Sequence, residues 1–167
     1  MVQKEGVFIS GFVRLSNALT ILQKNLERAK SDRARPLNLK NGEVLVMYLF
    51  YDNPEGLSAE QLSRVCMLDR SLISRSLRSL SLKKLITCPR LAEGKRRYGS
   101  KLVLTEEGKR IGSIVKQHVR EVQNYLNVGI TSEELENMYT TLEKLCERFE
   151  ELNRQTRALK KAKKEAE

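Results

Sequence analysis

Arg70, Ser71, Ser74, Arg75 and Arg78 crowd into nine residues, at spacings that a helix would gather toward one side. Guanidinium groups set out in this way suit anionic partners. Each can hold a phosphate, or donate in bidentate fashion to the O6 and N7 edge of guanine. A second cationic run, Lys95-Arg96-Arg97, follows with no acid beside it after Glu93. Material for catalysis is scarce by comparison. There is one histidine, His118, and the three cysteines (Cys66, Cys88, Cys146) lie far apart with no C-x-x-C pairing. Neither a disulfide framework nor a structural zinc site is expected from them. Glycine-rich phosphate loops and a G-x-S-x-G nucleophile are absent too. No catalytic residue, cofactor or metal ligand is assigned, and the chain is not read as an enzyme.

Charge distribution narrows the partner class more than total charge does. The 167 residues carry 31 Lys plus Arg against 21 Asp plus Glu, a net +10, and the isoelectric point is near 9.7. Residues 1–68 are net +2, residues 69–101 net +8, residues 102–153 net −4 and residues 154–167 net +4. Most of the imbalance thus falls on the 33-residue stretch that holds both cationic clusters, as an electrostatic footprint on nucleic acid would. The longest apolar run, Val44 to Tyr51, is far below the roughly 20 residues of a membrane helix. The N-terminus lacks a signal-peptide layout, so a cytoplasmic protein without membrane contact is expected.

The elements that must position these residues read as mainly helical. Phe8, Phe12, Leu15, Leu19, Leu22 and Leu26 make a heptad seam on a first helix that ends before Pro36. Asn38 is placed to cap a second helix carrying Val44, Leu45, Met47, Tyr48 and Leu49, which the turn from Asp52 to Gly56 closes. Ser58 and Gln61 form a capping box for a short third helix over residues 59–66. Asp69 caps a fourth, with Ile73, Leu77 and Leu80 on one face and the arginines on the other. The two short helices make a helix-turn-helix candidate. Strand-like segments at Leu85 to Cys88 and Lys101 to Thr105 bracket the basic tip as a hairpin, a wing. Ile111, Ile114, Val115, His118, Val119 and Val122 then mark a long helix. A second capping box, Thr131 and Glu134, opens a last one bearing Leu135, Met138, Leu142, Leu145, Phe149 and Leu152. The fold class is therefore mainly α with a small β-hairpin wing: a winged helix-turn-helix between N- and C-terminal dimerisation helices. The segments are residues 1–35, 36–110 and 111–167, the last ending in a basic, solvated, frayed tail. Seams of this extent give more apolar surface than the central module covers, and a two-fold homodimer would absorb the surplus.

Leu57-Ser58-Ala59-Glu60-Gln61-Leu62, Ser74-Arg75 with Leu80 and Lys83-Lys84-Leu85-Ile86, and Leu102-Val103-Leu104-Thr105-Glu106-Glu107-Gly108 together resemble the MarR family of bacterial winged-helix transcription regulators. By motif the resemblance covers about residues 36–110, and by architecture the whole chain. It implies a regulator tuned by a small-molecule effector in the cleft between dimerisation and DNA-binding lobes. Two positions depart from the pattern. Lys84 stands where a glycine is usual, and the family's D-x-R of the wing falls on Arg96 and Tyr98.

The resulting expectation is a homodimer on pseudo-palindromic double-stranded DNA, each recognition helix entering a major groove. Arg70, Ser71 and Ser74, near the helix start, are assigned to bases, and Arg75 and Arg78 to phosphates. Lys95, Arg96 and Arg97 reach a phosphate or a narrow minor groove. Ser58 either caps its helix or offers its hydroxyl and N–H to a phosphate. Charge alone leaves two alternatives open, a winged helix binding RNA and one docking an acidic protein. His118 reads as a packed or interface residue, and Cys66 and Cys146 as small hydrophobes.

Overall fold

The computed structural model describes residues 2–4, 7–89 and 100–165. The chain divides into two compact units, residues 1–121 and 122–167.

The first unit opens with an antiparallel hairpin of β1 (Val2–Lys4) and β2 (Val7–Ile9), in the register Val2↔Ile9, Gln3↔Phe8, Lys4↔Val7. Val7-Phe8-Ile9 is a β-branched and aromatic run, which favours a strand. Phe8 accordingly belongs to β2 and not to the helical seam in which its spacing places it. Ser10 caps α1 (Gly11–Ala34), its Oγ accepting from the N–H of Val13 at 3.3 Å, and the seam begins at Phe12.

A short 3-10 turn, Arg35–Leu37, follows with Pro36 in its first positions. Asn38 closes that turn and does not cap the next helix. Its φ is 54° and its N–H reaches Arg35 O at 3.1 Å. Asparagine enters the left-handed region at lower cost than most residues, so it is used for a reversal. The cap position of α2 (Asn41–Asp52) is Lys40, whose N–H donates to Glu43 Oε2 at 2.8 Å.

Val46, Met47 and Phe50 of α2 are sealed from solvent and form the centre of the core. Leu62 of α3 (Ala59–Cys66), Ile73, Leu77 and Leu80 of α4 (Arg70–Leu82), and Ile111 and Val115 of α5 (Glu106–Leu126) complete the same buried cluster. Sealing each aliphatic or aromatic side chain stabilises the fold by about 1.5–3 kcal/mol, which fixes the helical faces. The spacing of Ile73, Leu77 and Leu80 is borne out as a buried stripe, whereas of the α2 residues singled out in the sequence only Met47 is buried, Leu45 being 40% exposed.

After α4 the chain reverses at Lys84 and pairs β3 (Ile86–Thr87) with β4 (Val103–Leu104) in the register Ile86↔Leu104, Thr87↔Val103. Leu57 joins the ladder, exchanging two hydrogen bonds of 3.0 Å with Leu102. This is the base of the wing. Its tip, with Lys95, Arg96 and Arg97, lies outside the described residues. Thr105 ties the ladder to α5: its hydroxyl donates to Lys84 O at 2.7 Å and accepts from Gly108 N–H at 3.0 Å. At Gly108 a Cβ would stand 1.9 Å from the carbonyl oxygen of Leu85, so only glycine allows this approach.

In the second unit Gly129, at φ +75°, turns the chain before the last helix. Thr131 and Glu134 cap each other, with Thr131 N–H to Glu134 Oε2 at 2.8 Å and Glu134 N–H to Thr131 Oγ1 at 3.2 Å. The helix they open, α6 (Ser132–Glu165), has 34 residues, about 51 Å at 1.5 Å per residue. The basic end is thus helical through Glu165 and solvent-exposed as far as residue 161. Ala, Leu, Lys and Arg there are strong helix formers, and cations at the C-terminus with Glu133 and Glu134 in the first turn complement the helix dipole. Among the described residues no helix is long and apolar enough to cross a membrane.

Lys84 holds φ 57°, with its N–H bonded to Ser81 O at 3.0 Å. A left-handed non-glycine residue costs about 1–2 kcal/mol, part of which glycine returns through its greater unfolded-state freedom. Lys84→Gly should therefore stabilise the protein by about 0.5–1 kcal/mol. A rise in the urea midpoint at constant slope checks this; an unchanged or lower midpoint contradicts it.

Candidate nucleic-acid interface

The orientation of α4 is determined at both of its ends. At the start Asp69 Oδ1 accepts from Ser71 N–H at 2.6 Å and from Leu72 N–H at 3.2 Å. A bond from the Ser71 hydroxyl holds this carboxyl below its ordinary range, reinforced by the N–H groups of Leu72 and Ser71 and by the charge of Arg75. At the far end Lys83 Nζ lies 2.6 Å from Glu43 Oε2, and Glu43 is only 1% exposed. Burial pushes the Glu43 carboxyl up. The bonds from Lys83, Ser79 and the Lys40 N–H outweigh it, and the group titrates below its ordinary value. Glu43 Oε1 has no hydrogen-bond partner among the described residues.

Between these anchors Ile73, Leu77 and Leu80 face inward. At about 100° per residue, Ser71, Arg75 and Arg78 project from the opposite side, Ser74 from the flank and Arg70 nearer the border of the buried face, and all five are exposed. The expected cluster is therefore gathered on one outward stripe. Leu82, one turn beyond Arg78, extends it and is 76% exposed. Sequence reading passed over Leu82 as one more aliphatic residue, although its spacing of seven from Arg75 was the available signal. Lys101 is also exposed, at the foot of the wing.

Ser58 stands apart from this stripe. It is buried, its Oγ accepts from Gln61 N–H at 3.2 Å, and its own N–H donates to Gln61 Oε1 at 2.9 Å. The capping box is thus formed as the sequence implies. On α3, Arg64 is engaged with Glu60 at 3.2 Å. Lys95, Arg96 and Arg97 lie outside the described residues.

No family model matches the sequence. A curated relative, the uncharacterised HTH-type transcriptional regulator YybA of Bacillus subtilis (strain 168), is 24% identical over 130 residues, which are 78% of this chain and 85% of the relative. The transcription regulator MarR of Oenococcus oeni PSU-1 superposes with a TM-score of 0.69 at 19% identity, over 80% of this chain and 98% of that one. The fold is that of the MarR-type winged helix. A MepR–DNA complex from S. aureus superposes with a TM-score of 0.71 at 19% identity, over 84% of this chain and 99% of that one. In MarR terms α3 and α4 are the helix-turn-helix and β3 and β4 the base of the wing, which bears out the fold class expected from the sequence.

The Glu43–Lys83 pair can be tested directly. Lys83→Met leaves a sealed carboxylate without its cation, and removing one partner of a buried pair costs about 3–5 kcal/mol. Replacing both residues by methionine should recover most of that loss, as read from urea unfolding. The sign with pH follows from the lowered carboxyl: the pair stabilises above the ordinary value of 4.5 and is lost as pH falls through the lower folded value. Glu43→Gln should flatten this acid limb. An acid limb as steep as that of the parent would remove Glu43 as its source.

Proposed function

We propose that this protein is a dimeric, sequence-specific double-stranded DNA-binding transcriptional regulator of MarR type, modulated by a small-molecule ligand. The observation that carries the reading is the outward stripe of α4. Arg75, Arg78 and Ser71 lie opposite a sealed apolar face, with Ser74 and Arg70 exposed beside them, on a helix held at both ends, and no carboxylate interrupts them between Arg70 and Leu82. An α-helix of this kind fits the major groove, where arginine reads guanine and short hydroxyls serve either bases or phosphates. Arg70, Ser71 and Ser74 serve base edges, while Arg75 and Arg78 hold phosphates. Lys95, Arg96 and Arg97 contact phosphate or the minor groove beside the same site. Ser58, whose N–H already serves Gln61, contributes by keeping α3 in place. The solved MepR–DNA complex, which shares the fold, supports this direction.

Residues 1–35 and 111–167 serve dimerisation around the 36–110 module in this reading, and two modules read a pseudo-palindrome with half-sites one helical turn apart. Support comes from the exposed large apolar residues of α1 and α6, which are placed where a soluble monomer would not keep them. The effector is assigned to a cleft of about 370 Å³ at the junction of the 3-10 turn, the end of α4 and the start of α5. Leu37, Leu85 and Ile111 give it an apolar wall, with Lys83 and Arg110 beside them. Because Lys83 also anchors α4, occupancy of this cleft bears on the recognition helix.

Binding to a palindrome selected from random duplex DNA tests the reading. If a dimer neutralises roughly 8 phosphates, the log–log salt slope is about −7. Arg75→Ala should reduce that slope by about one per protomer and weaken operator and random DNA alike, whereas Arg70→Ala should cost about 1–3 kcal/mol and relax discrimination at one base pair per half-site. Stronger competition by structured RNA than by random DNA would favour an RNA-binding winged helix. Duplex binding indifferent to Arg75→Ala would favour an acidic protein partner.

A further inference from the structure

The last stretch of α6 carries one sign of charge. Between Glu151 and Glu165 stand six basic residues and no acid, whereas residues 132–151 of the same helix hold seven acidic against two basic. At about 100° per residue, Arg154, Arg157, Lys160 and Lys161 fall within an arc of about 120°, with Leu152 and Leu159 toward the opposite side. All four cations are exposed. Arg154 reaches Glu151 at 2.8 Å in a pair largely open to solvent, and such a pair contributes little against a competing anion. Arg157 has Arg154, Lys160 and Lys161 three or four residues away. Like charges at these spacings destabilise a helix, so an anionic partner relieves a repulsion that the helix itself does not.

Side-chain chemistry narrows the partner. A lipid surface takes a basic helix whose other face carries several large apolar residues, and from Asn153 to Glu165 Leu159 is the single one. Phosphates ask for nothing but cations in reach. Laid along a duplex, the run from Arg154 to Lys161 spans about 10 Å of helix, the axial length of about three phosphates of one strand. Contacts of this kind carry no sequence information. We propose that this face of α6 is a second, sequence-independent contact with duplex DNA, made with phosphates outside the operator. It rests on the DNA-binding reading given above and adds a surface of the second compact unit to the α4 stripe of the first.

Two duplexes of equal length and sequence test it, each with the selected operator at its centre, one having uncharged methylphosphonate linkages throughout its flanks. The parent chain should bind the duplex with charged flanks at least about fivefold more tightly, with a log–log salt slope steeper by about 2 if each protomer of a dimer takes one flanking phosphate. A full-length variant carrying Arg157→Gln, Lys160→Gln and Lys161→Gln keeps good helix formers at these positions. It should bind both duplexes alike, within about twofold of the parent on the methylphosphonate one. A parent indifferent to the flanks, or a variant that still distinguishes them, overturns the proposal and leaves the operator reading standing. A parent that binds neither duplex overturns both. Two other results assign the face elsewhere and overturn the proposal as well. One is a variant that associates more weakly with itself in sedimentation equilibrium, which points to the acidic segment of another copy. The other is binding to phosphatidylglycerol vesicles that the variant loses while its response to the flanks is unchanged.

Discussion

A carboxylate removed from water must meet a cation, and the meeting of Glu43 with Lys83 joins residues 40 positions apart in the chain. The energetics of such a pair are asymmetric. Its net contribution over an apolar substitute is small, but either partner left alone is costly. What it supplies is direction. α2 carries the fully buried residues around which the unit is packed, and the pair fastens the far end of α4 to the start of that helix. Asp69 secures the opposite end by accepting from the N–H groups of Ser71 and Leu72. With both ends held and three aliphatic residues sealed between them, α4 has little freedom to roll about its axis. Arg75 and Arg78 therefore keep one heading, and a rigid cationic edge can be presented to a groove.

The local rules were the most legible in the sequence. Ser58 with Gln61, Thr131 with Glu134, and Asp69 each act within a few residues of themselves, so their spacing alone discloses their bonds. The three/four recurrence of Ile73, Leu77 and Leu80 was equally readable, because burial selects one helical face whatever covers it. Failures came where a local rule had two outlets. Asn38 suits both a cap and a left-handed reversal, and Pro36 decided for the reversal by forming a 3-10 turn just before it. Phe8 continued the helical spacing, but its neighbours Val7 and Ile9 favour a strand. The Glu43–Lys83 contact could not have been read, since no periodicity links residues so far apart. The candidate stripe was legible as a cluster, whereas its outlier Leu82 needed the helix axis to be placed.

The charge pattern follows the same division between parts. Residues 69–101 hold most of the positive excess, and the described portion of it sits around the outer side of α4. Acidic residues gather instead on the first half of α6, away from that stripe in the chain. Along α4 itself no carboxylate stands between Arg70 and Leu82, so the cationic edge is not neutralised from within its own helix.

The contact between Gly108 and the carbonyl of Leu85 has a mechanical meaning. Backbone rests on backbone there, and the wing side chain beside the joint is that of Leu104, against Gly108 and Gly112. Thr105 closes the same joint from the other side, bonding Lys84 O and Gly108 N–H at once. The start of α5 and the foot of the wing consequently behave as one part, a hinge leaf without play. The direction of the β3–β4 ladder and that of the first turn of α5 are therefore fixed together by one backbone contact and one threonine.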